Sequence, residues 1–293
     1  MEKSLRPFVL INAATSADGK ISTVERRQTR ISGKEDFERV DSLRAGSDAI
    51  MVGVGTVLAD DPSLTVKAGA RRAARARAGK DANPLRVVVD SRARTPPNAE
   101  VLCKGEGRRI IAVSELANAD GERVAELGKK AEVLVCGGSG AAESGAAESG
   151  AAESGAAESG AAGRGGGRGG GGRGGGGRGG KVDLGKLLAR LRQRGVERLL
   201  VEGGATLNWS LISQGLVDEI FVYVGNLILG GEDAPTLVDG AGFVAGAGVV
   251  KLELLSAERL GEGVLLKWRV VSEGEREKVR GKEGSAAQSG RKA

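Results

Sequence analysis

Histidine is absent from all 293 residues. That removes hydrolysis by a Ser-His-Asp triad, proteolysis by a Cys-His pair, imidazole proton shuttling and most zinc chemistry. Cysteine is nearly absent too. Cys103 and Cys136 stand well apart, too few for a disulfide framework or a thiolate zinc site, and both read as small apolar filler. Aromatic residues make up only 2% of the chain, which argues against a stacking surface for single-stranded nucleic acid. No apolar run is long enough to cross a bilayer and the N-terminus shows no signal-peptide pattern, so a cytoplasmic location is expected.

What is present points to a sheet. The apolar residues are mostly Val, Leu, Ile and Ala, a composition suited to buried parallel strands flanked by helices. The formal charge is +6, but it is local. Lys67, Arg71, Arg72, Arg75, Arg77 and Lys80 crowd one segment. It reads as a solvated surface loop or short helix leaning over an anionic ligand, in preference to a nucleic-acid footprint.

Apolar runs predict strands over 6–12, 49–52, 85–89, 109–113, 131–136, 198–201 and 218–224, then an antiparallel hairpin over 249–255 and 263–271. Residues 13–21 read as a small-residue loop around Asp18-Gly19-Lys20. Ser32 and Glu35 form a capping box for a helix carrying Phe37, Val40, Leu43 and Arg44. Leucines at helical spacing predict a helix over 182–194, and another follows the glycine pair 203–204 through Gln214. The expected fold class is α/β: a mainly parallel central sheet with antiparallel strands at its C-terminal end and helices on both faces. One domain over 1–271 is expected, interrupted by a low-complexity insertion at 138–180 and followed by a charged flexible tail at 272–293. The insertion holds four Gly-Ala-Ala-Glu-Ser units and then glycine tracts punctuated by Arg164, Arg168, Arg173 and Arg178. Such a composition buries too little apolar surface to offset its ordering entropy, so disorder is expected there.

The chemistry gathers at strand ends. Gly53-Val54-Gly55-Thr56, Asp90-Ser91 and Gly203-Gly204 each follow an apolar strand, and open α/β sheets bind ligands at the carboxyl ends of their strands. A glycine pair leading into a helix brings bare N–H groups to a phosphate, although taken alone it is a common turn. None of these ends is a Gly-x-Gly-x-x-Gly fingerprint, and no strand–turn–helix unit of the usual dinucleotide kind is expected at Gly53-Val54-Gly55.

An ordered series of motifs is more specific. Ser16-Ala17-Asp18-Gly19-Lys20-Ile21, Arg30-Ile31-Ser32, Leu43-Arg44-Ala45, the stretch from Thr56 to Thr65, Asn83-Pro84-Leu85-Arg86-Val87-Val88-Val89-Asp90-Ser91, the stretch from Val201 to Asn208 and Gly215-Leu216-Val217-Asp218-Glu219 occur in that order. The set resembles the riboflavin-biosynthesis reductases, above all their stand-alone archaeal and fungal type. The deaminase signature of the bifunctional bacterial relatives is not seen. The resemblance implies an NADPH-dependent, homodimeric enzyme of dihydrofolate-reductase-like fold. It would reduce the ribosylamino group of 2,5-diamino-6-ribosylamino-4(3H)-pyrimidinone 5′-phosphate to ribitylamino, with reduction preceding deamination. NADH is the alternative cofactor; no metal, membrane or nucleic-acid partner is implied.

Carried over residue by residue, the resemblance puts the cofactor on Ala14, Thr56, Asp60, Asp90, Ser91, Arg92, Gly137, Gly203, Gly204, Ala205 and Thr206. It puts the phosphorylated pyrimidine on Gln28, Arg44, Leu64, Lys67 and Glu202. Arg44, assisted by Lys67, is expected to pair with the substrate phosphate. A surface ion pair is the plainer role for Arg44. Hydride transfer to C1′ of the opened ribosylamine also requires a proton. Without histidine it must come from a carboxylic acid, a lysine or water; Glu202 and Asp60 are the carboxyl candidates, Glu202 being the catalytic one. A charge favoured by the following helix dipole is the plainer reading of Glu202. Two rival functions stay open at this point: a related reductase acting on dihydrofolate or another pterin, anchored by Glu35, Asp36 or Glu38, and RNA binding through the Gly/Arg block.

Overall fold

A computed structural model describes residues 5–27, 29–119, 121–137, 180–244 and 248–271. Its strands are β1 (Phe8–Thr15), β2 (Ala49–Gly53), β3 (Leu85–Val89), β4 (Arg109–Val113), β5 (Glu132–Val135), β6 (Arg198–Val201), β7 (Glu219–Val224), β8 (Leu252–Leu260) and β9 (Gly263–Val270). They form one sheet in the order β5-β4-β3-β2-β6-β1-β7-β9-β8. Pairing is parallel from β5 through β7, and β9 and β8 close the sheet antiparallel. The helices are α1 (Lys34–Gly46), α2 (Val54–Asp60), α3 (Gly69–Arg77), α4 (Glu100–Cys103), α5 (Gly121–Gly128), α6 (Leu184–Gln193) and α7 (Ala205–Ser213).

Side chains alternate across each strand, so the central strands feed two cores. On one face Leu187, Leu188 and Leu191 of α6 and Leu207 and Leu211 of α7 cover Val9, Ile11, Met51 and Val87. On the other, Val54 and Val57 of α2, Val101 and Leu102 of α4 and Leu127 of α5 cover Leu10, Ile50, Val88 and Ile111. This is the two-faced α/β architecture read from the sequence.

Local expectations fare less evenly. β1 continues to Thr15 instead of ending at residue 12, because Asn12 to Thr15 pair in register with Phe221 to Val224 of β7. β2 runs straight into α2 at Gly53, so a direct strand–helix unit exists where none of the usual kind was expected. Val54 and Val57, one turn apart, both reach the core and hold that helix down. The Ser32 capping box is not used. α1 starts at Lys34 with an extended Gly33 at its N-cap and no side-chain cap. Its inner face is polar: Asp36 and Asp41 are buried while Phe37 is 53% exposed. β8 begins at Leu252, and a bulge between Leu254 and Ser256 breaks the alternation that the hairpin reading relied on.

The basic segment is the short helix α3, and its charges are largely tied to the protein itself. Arg75 donates to the carbonyls of Ala45, Ser47 and Asp81, Arg72 to those of Val66 and Lys67, and Arg71 pairs with Asp41. Residues 138–179 and 272–293, most of the expected insertion and the whole tail, lie outside the described residues.

Candidate active site

Two strand-to-helix turns meet at the carboxyl edge of the sheet: β2 enters α2 at Gly53, and β6 enters α7 through Glu202-Gly203-Gly204. Gly203 and Gly204 take φ values of +124° and +95°, a backbone region that glycine alone adopts freely. Gly53 N donates to the Gly203 carbonyl at 3.2 Å. A Cβ added to Gly204 would stand 3.5 Å from Thr56 Oγ1 and 3.6 Å from Leu207 Cβ. The positive φ values at Gly203 and Gly204 turn β6 into α7 beside the start of α2. Neither start is capped by a side chain, so their first-turn N–H groups are offered outward, a charge distribution suited to an anion.

A cleft of about 880 Å³ opens at this edge. Of the expected cofactor residues, Thr56, Asp60, Ser91, Arg92, Gly204, Ala205 and Thr206 line it. Gly203 joins this set to Glu202 without lining the cleft. Asp90 is fully buried and accepts from Thr95 N at 2.6 Å and Thr95 Oγ1 at 2.7 Å. Its visible work is to hold the turn that presents Ser91 and Arg92. Gly137 bridges Val182, and its carbonyl accepts from Lys186 Nζ at 3.1 Å. The neighbouring strand pair is stitched further by Asp183 N to Cys136 O at 2.9 Å and Val182 N to Ser91 Oγ at 3.2 Å. Ala14 sits within β1 opposite Tyr223, away from the cleft lining.

Arg26, Arg94 and Lys181 also line the cleft and were not singled out from the sequence. Lys181 directly follows the repeat block, and Arg94 stands two residues past Arg92; proximity was the only available signal. Among the described residues Asp60 is the one acidic lining residue. Burial raises its pKa above the ordinary carboxylate value. In the 16–20 turn, outside the cleft lining, Asp18 Oδ1 and Oδ2 accept from Leu229 N at 3.1 Å and Gly230 N at 2.7 Å. With Ser16 Oγ these bonds hold its carboxyl at about 2.

The expected substrate residues form a separate corner between α1, the 61–67 segment and the end of β6. Arg44 grips Glu202 through two bonds, Nε to Oε1 at 2.7 Å and Nη2 to Oε2 at 2.6 Å. Its Nη1 donates to Thr65 O at 3.2 Å. Both side chains are largely buried, at 16% and 9% exposure. Burial alone would lower the Arg44 pKa, but the Glu202 carboxylate reverses that and raises it. Lys67 Nζ donates to Ser63 Oγ at 2.7 Å and Thr65 Oγ1 at 3.1 Å. Burial, with Arg44 and Lys104 adding repulsion, lowers its pKa. Leu64 is buried at a φ of +51°. Gln28 lies outside the described residues. Ser63, Thr65 and Asp41 are the members of this corner that the sequence reading missed; Asp41's place three residues before Arg44 on one helix face was the signal available.

An open, doubly covered α/β sheet with a ligand-sized cleft at the carboxyl ends of its parallel strands is the class these features define. Within it, the chain belongs to the family described as the RibD C-terminal domain, whose model matches residues 7–266. It is 45% identical over 259 residues to the 2,5-diamino-6-ribosylamino-4(3H)-pyrimidinone 5′-phosphate reductase of Archaeoglobus fulgidus, covering 88% of this chain and 96% of that protein. To the reductase of the same name from Methanothermobacter thermautotrophicus it is 43% identical, covering 91% and 99%. Among solved structures, a pyrimidine reductase-like protein from Corynebacterium diphtheriae shares the fold at a TM-score of 0.68 and 16% identity, covering 91% of this chain and 93% of that one. The riboflavin biosynthesis reductase Rib7 of Saccharomyces does so at 0.59 and 20% identity, covering 92% and 93%.

Proposed function

We propose that this chain is an NADPH-dependent reductase of riboflavin biosynthesis, converting the ribosylamino side chain of 2,5-diamino-6-ribosylamino-4(3H)-pyrimidinone 5′-phosphate to its ribitylamino form. The observation that carries this reading is the 45% identity, over nearly the whole length of both chains, to a protein bearing that reductase's name.

The cleft suits a dinucleotide. Its glycine turn runs at positive φ through Gly203 and Gly204, and the uncapped start of α7 with the Thr56 hydroxyl matches a pyrophosphate. Arg92, Arg94 and Lys181 supply positive charge for a 2′-phosphate, which favours NADPH over NADH. The reduced nicotinamide supplies a hydride for C1′ of the substrate. The chain's own task is to align the two reactants, exclude water and deliver the proton that the opened ribose oxygen or the side-chain nitrogen takes up. Asp60 suits that proton better than Glu202. Its pKa is raised by burial, whereas both Glu202 oxygens are occupied by Arg44. Glu202 is better suited to accepting from the pyrimidine's amino groups while fixing Arg44, and Lys67 with Ser63 and Thr65 suits the 5′-phosphate.

The same reading covers 1–271 as one reductase domain interrupted at 138–180. It includes a homodimer formed through the exposed edge strand β8, whose Leu252, Leu254 and Leu255 stand 41–49% exposed. No helix among the described residues is long and apolar enough to cross a membrane, and the free cysteines suit the reducing cytoplasm. The pterin and RNA alternatives are not favoured. The Arg44/Lys67 corner matches a phosphorylated substrate, and the basic segment around α3 offers little free charge to a nucleic acid, since three of its arginines are bound internally; the Gly/Arg block itself lies outside the described residues. The test is NADPH oxidation with the ribosylamino-pyrimidinone phosphate set against dihydrofolate. Turnover of the former alone is expected, and activity confined to dihydrofolate would overturn the reading.

A further inference from the structure

Asp41 is 6% exposed on α1, three residues before Arg44 and on the same helix face. Its carboxylate is enclosed by donors. Lys67 N bonds to Oδ1, while Ala68 N at 3.1 Å and Arg71 Nη1 at 2.9 Å bond to Oδ2. Through these contacts α1 fastens the chain at the point where the 61–67 segment ends and α3 begins. The other end of that segment is fastened by a second carboxylate, Asp61 Oδ1, which accepts from Glu100 N at 2.7 Å.

Between the two anchors the backbone is held in conformations it does not choose freely. Asp61 has a φ of +41° and Leu64 one of +51°, values uncommon outside glycine. Packing holds Leu64 at 1% exposure, and the turn it makes brings Ser63 Oγ and Thr65 Oγ1 onto Lys67 Nζ. The result is two hydroxyls and an ammonium group beside the Arg44 guanidinium, an arrangement suited to a phosphate. No carboxylate pairs with the Lys67 ammonium among the described residues. Asp41 does not face this cluster's open side, since both its oxygens are committed to Lys67 N, Ala68 N and Arg71.

We propose that Asp41 is a positioning residue for the substrate anion, fixing the Ser63–Thr65–Lys67 cluster beside Arg44 by its grip on the Lys67 and Ala68 backbone. This rests on the reading that the pyrimidine's 5′-phosphate meets Arg44 and Lys67. An order that depends on one buried carboxylate makes affinity sensitive to its geometry more than to its charge at a distance. Asp41→Asn turns one acceptor into a donor aimed at Ala68 N and Arg71, whereas Arg71→Ala removes one partner and leaves the backbone grip intact.

The experiment is steady-state NADPH oxidation by the wild-type enzyme and by Asp41→Asn, Arg71→Ala and Lys67→Ala, with inorganic phosphate as a competing anion. For Asp41→Asn, KM for the pyrimidine phosphate should rise roughly 10-fold and phosphate inhibition weaken in parallel, with kcat and KM for NADPH within about 2-fold of wild type. Arg71→Ala should keep the wild-type KM. If Asp41→Asn does not fold, Asp41→Glu moves the carboxylate by one methylene and should raise the same KM in the same selective way. An unchanged KM in the Asp41 variant, alongside a raised KM in Lys67→Ala, overturns the positioning role alone. An unchanged KM in Lys67→Ala overturns the phosphate reading and Asp41's role with it.

Discussion

The two sides of this site are built from different materials. The edge proposed for the cofactor is built on backbone: Gly203 and Gly204 turn at positive φ, and neither helix start there carries a side-chain cap. The corner proposed for the substrate is side chain. Arg44 and Glu202, 158 residues apart, hold each other, Asp41 holds the Lys67 backbone, and strained Leu64 presents the intervening hydroxyls. Backbone geometry is preorganised once the sheet forms, whereas a charge lattice is only as good as its least well-placed member. The cofactor edge should therefore fail through sterics, and the corner through electrostatics.

Breaking the edge should cost most. Gly204→Val places a branched side chain at a φ of +95°, with Thr56 and Leu207 beside it. kcat/KM for NADPH should fall about 100-fold with the pyrimidine KM little changed, read from paired initial-rate titrations. Breaking the corner comes next. Glu202→Gln leaves a largely buried Arg44 without its counter-charge, so urea denaturation should show a loss of about 3 kcal/mol. Here the pyrimidine KM should climb roughly 10-fold while NADPH binding holds. Asp60→Asn sharpens the contrast between stability and function. A carboxyl whose folded pKa is raised opposes folding once pH exceeds its ordinary value, because the unfolded chain releases that proton more readily. The amide should thus raise the melting temperature at neutral pH by about 1–2 °C while lowering kcat at least 10-fold. The smallest effect belongs to Asp18. Its carboxyl is held at about 2 instead of 3.8, so its stabilisation is complete above 3.8 and disappears as pH falls through about 2. Asp18→Asn should flatten that acid limb of the melting curve and leave turnover at neutral pH unaltered.

The sheet was legible because its strands are bare apolar runs, and β3 (Leu85–Val89) agrees to the residue. Errors arose where a local pattern competed with tertiary pairing. Residues 13–15 look like loop but are drawn into β1 by β7. Ser32 looks like a cap, yet Gly33 takes the position. α1 was read as a helix carrying Phe37, Val40, Leu43 and Arg44, and the helix is there, but its buried residues are Asp36 and Asp41, satisfied by Arg39 and by the Lys67–Arg71 turn, while Phe37 faces outward. In the site, the glycines of the cofactor edge announce themselves in sequence. The Arg44–Glu202 pairing does not, since nothing in a linear chain says which buried charge will answer which.

The bridge between Gly137 and Val182 makes the two ends of the 138–179 stretch neighbours, seamed by the Asp183–Cys136 and Val182–Ser91 bonds. A chain that leaves and returns through one doorway lets its excursion change length at little expense, about 0.6 kcal/mol per doubling. For the protein engineer this is a docking port already cut into the wall of the cleft. A short excursion could replace the native one, or a reporter could be housed there, and its attachment point beside Ser91 would let an environment-sensitive dye register the arrival of the cofactor.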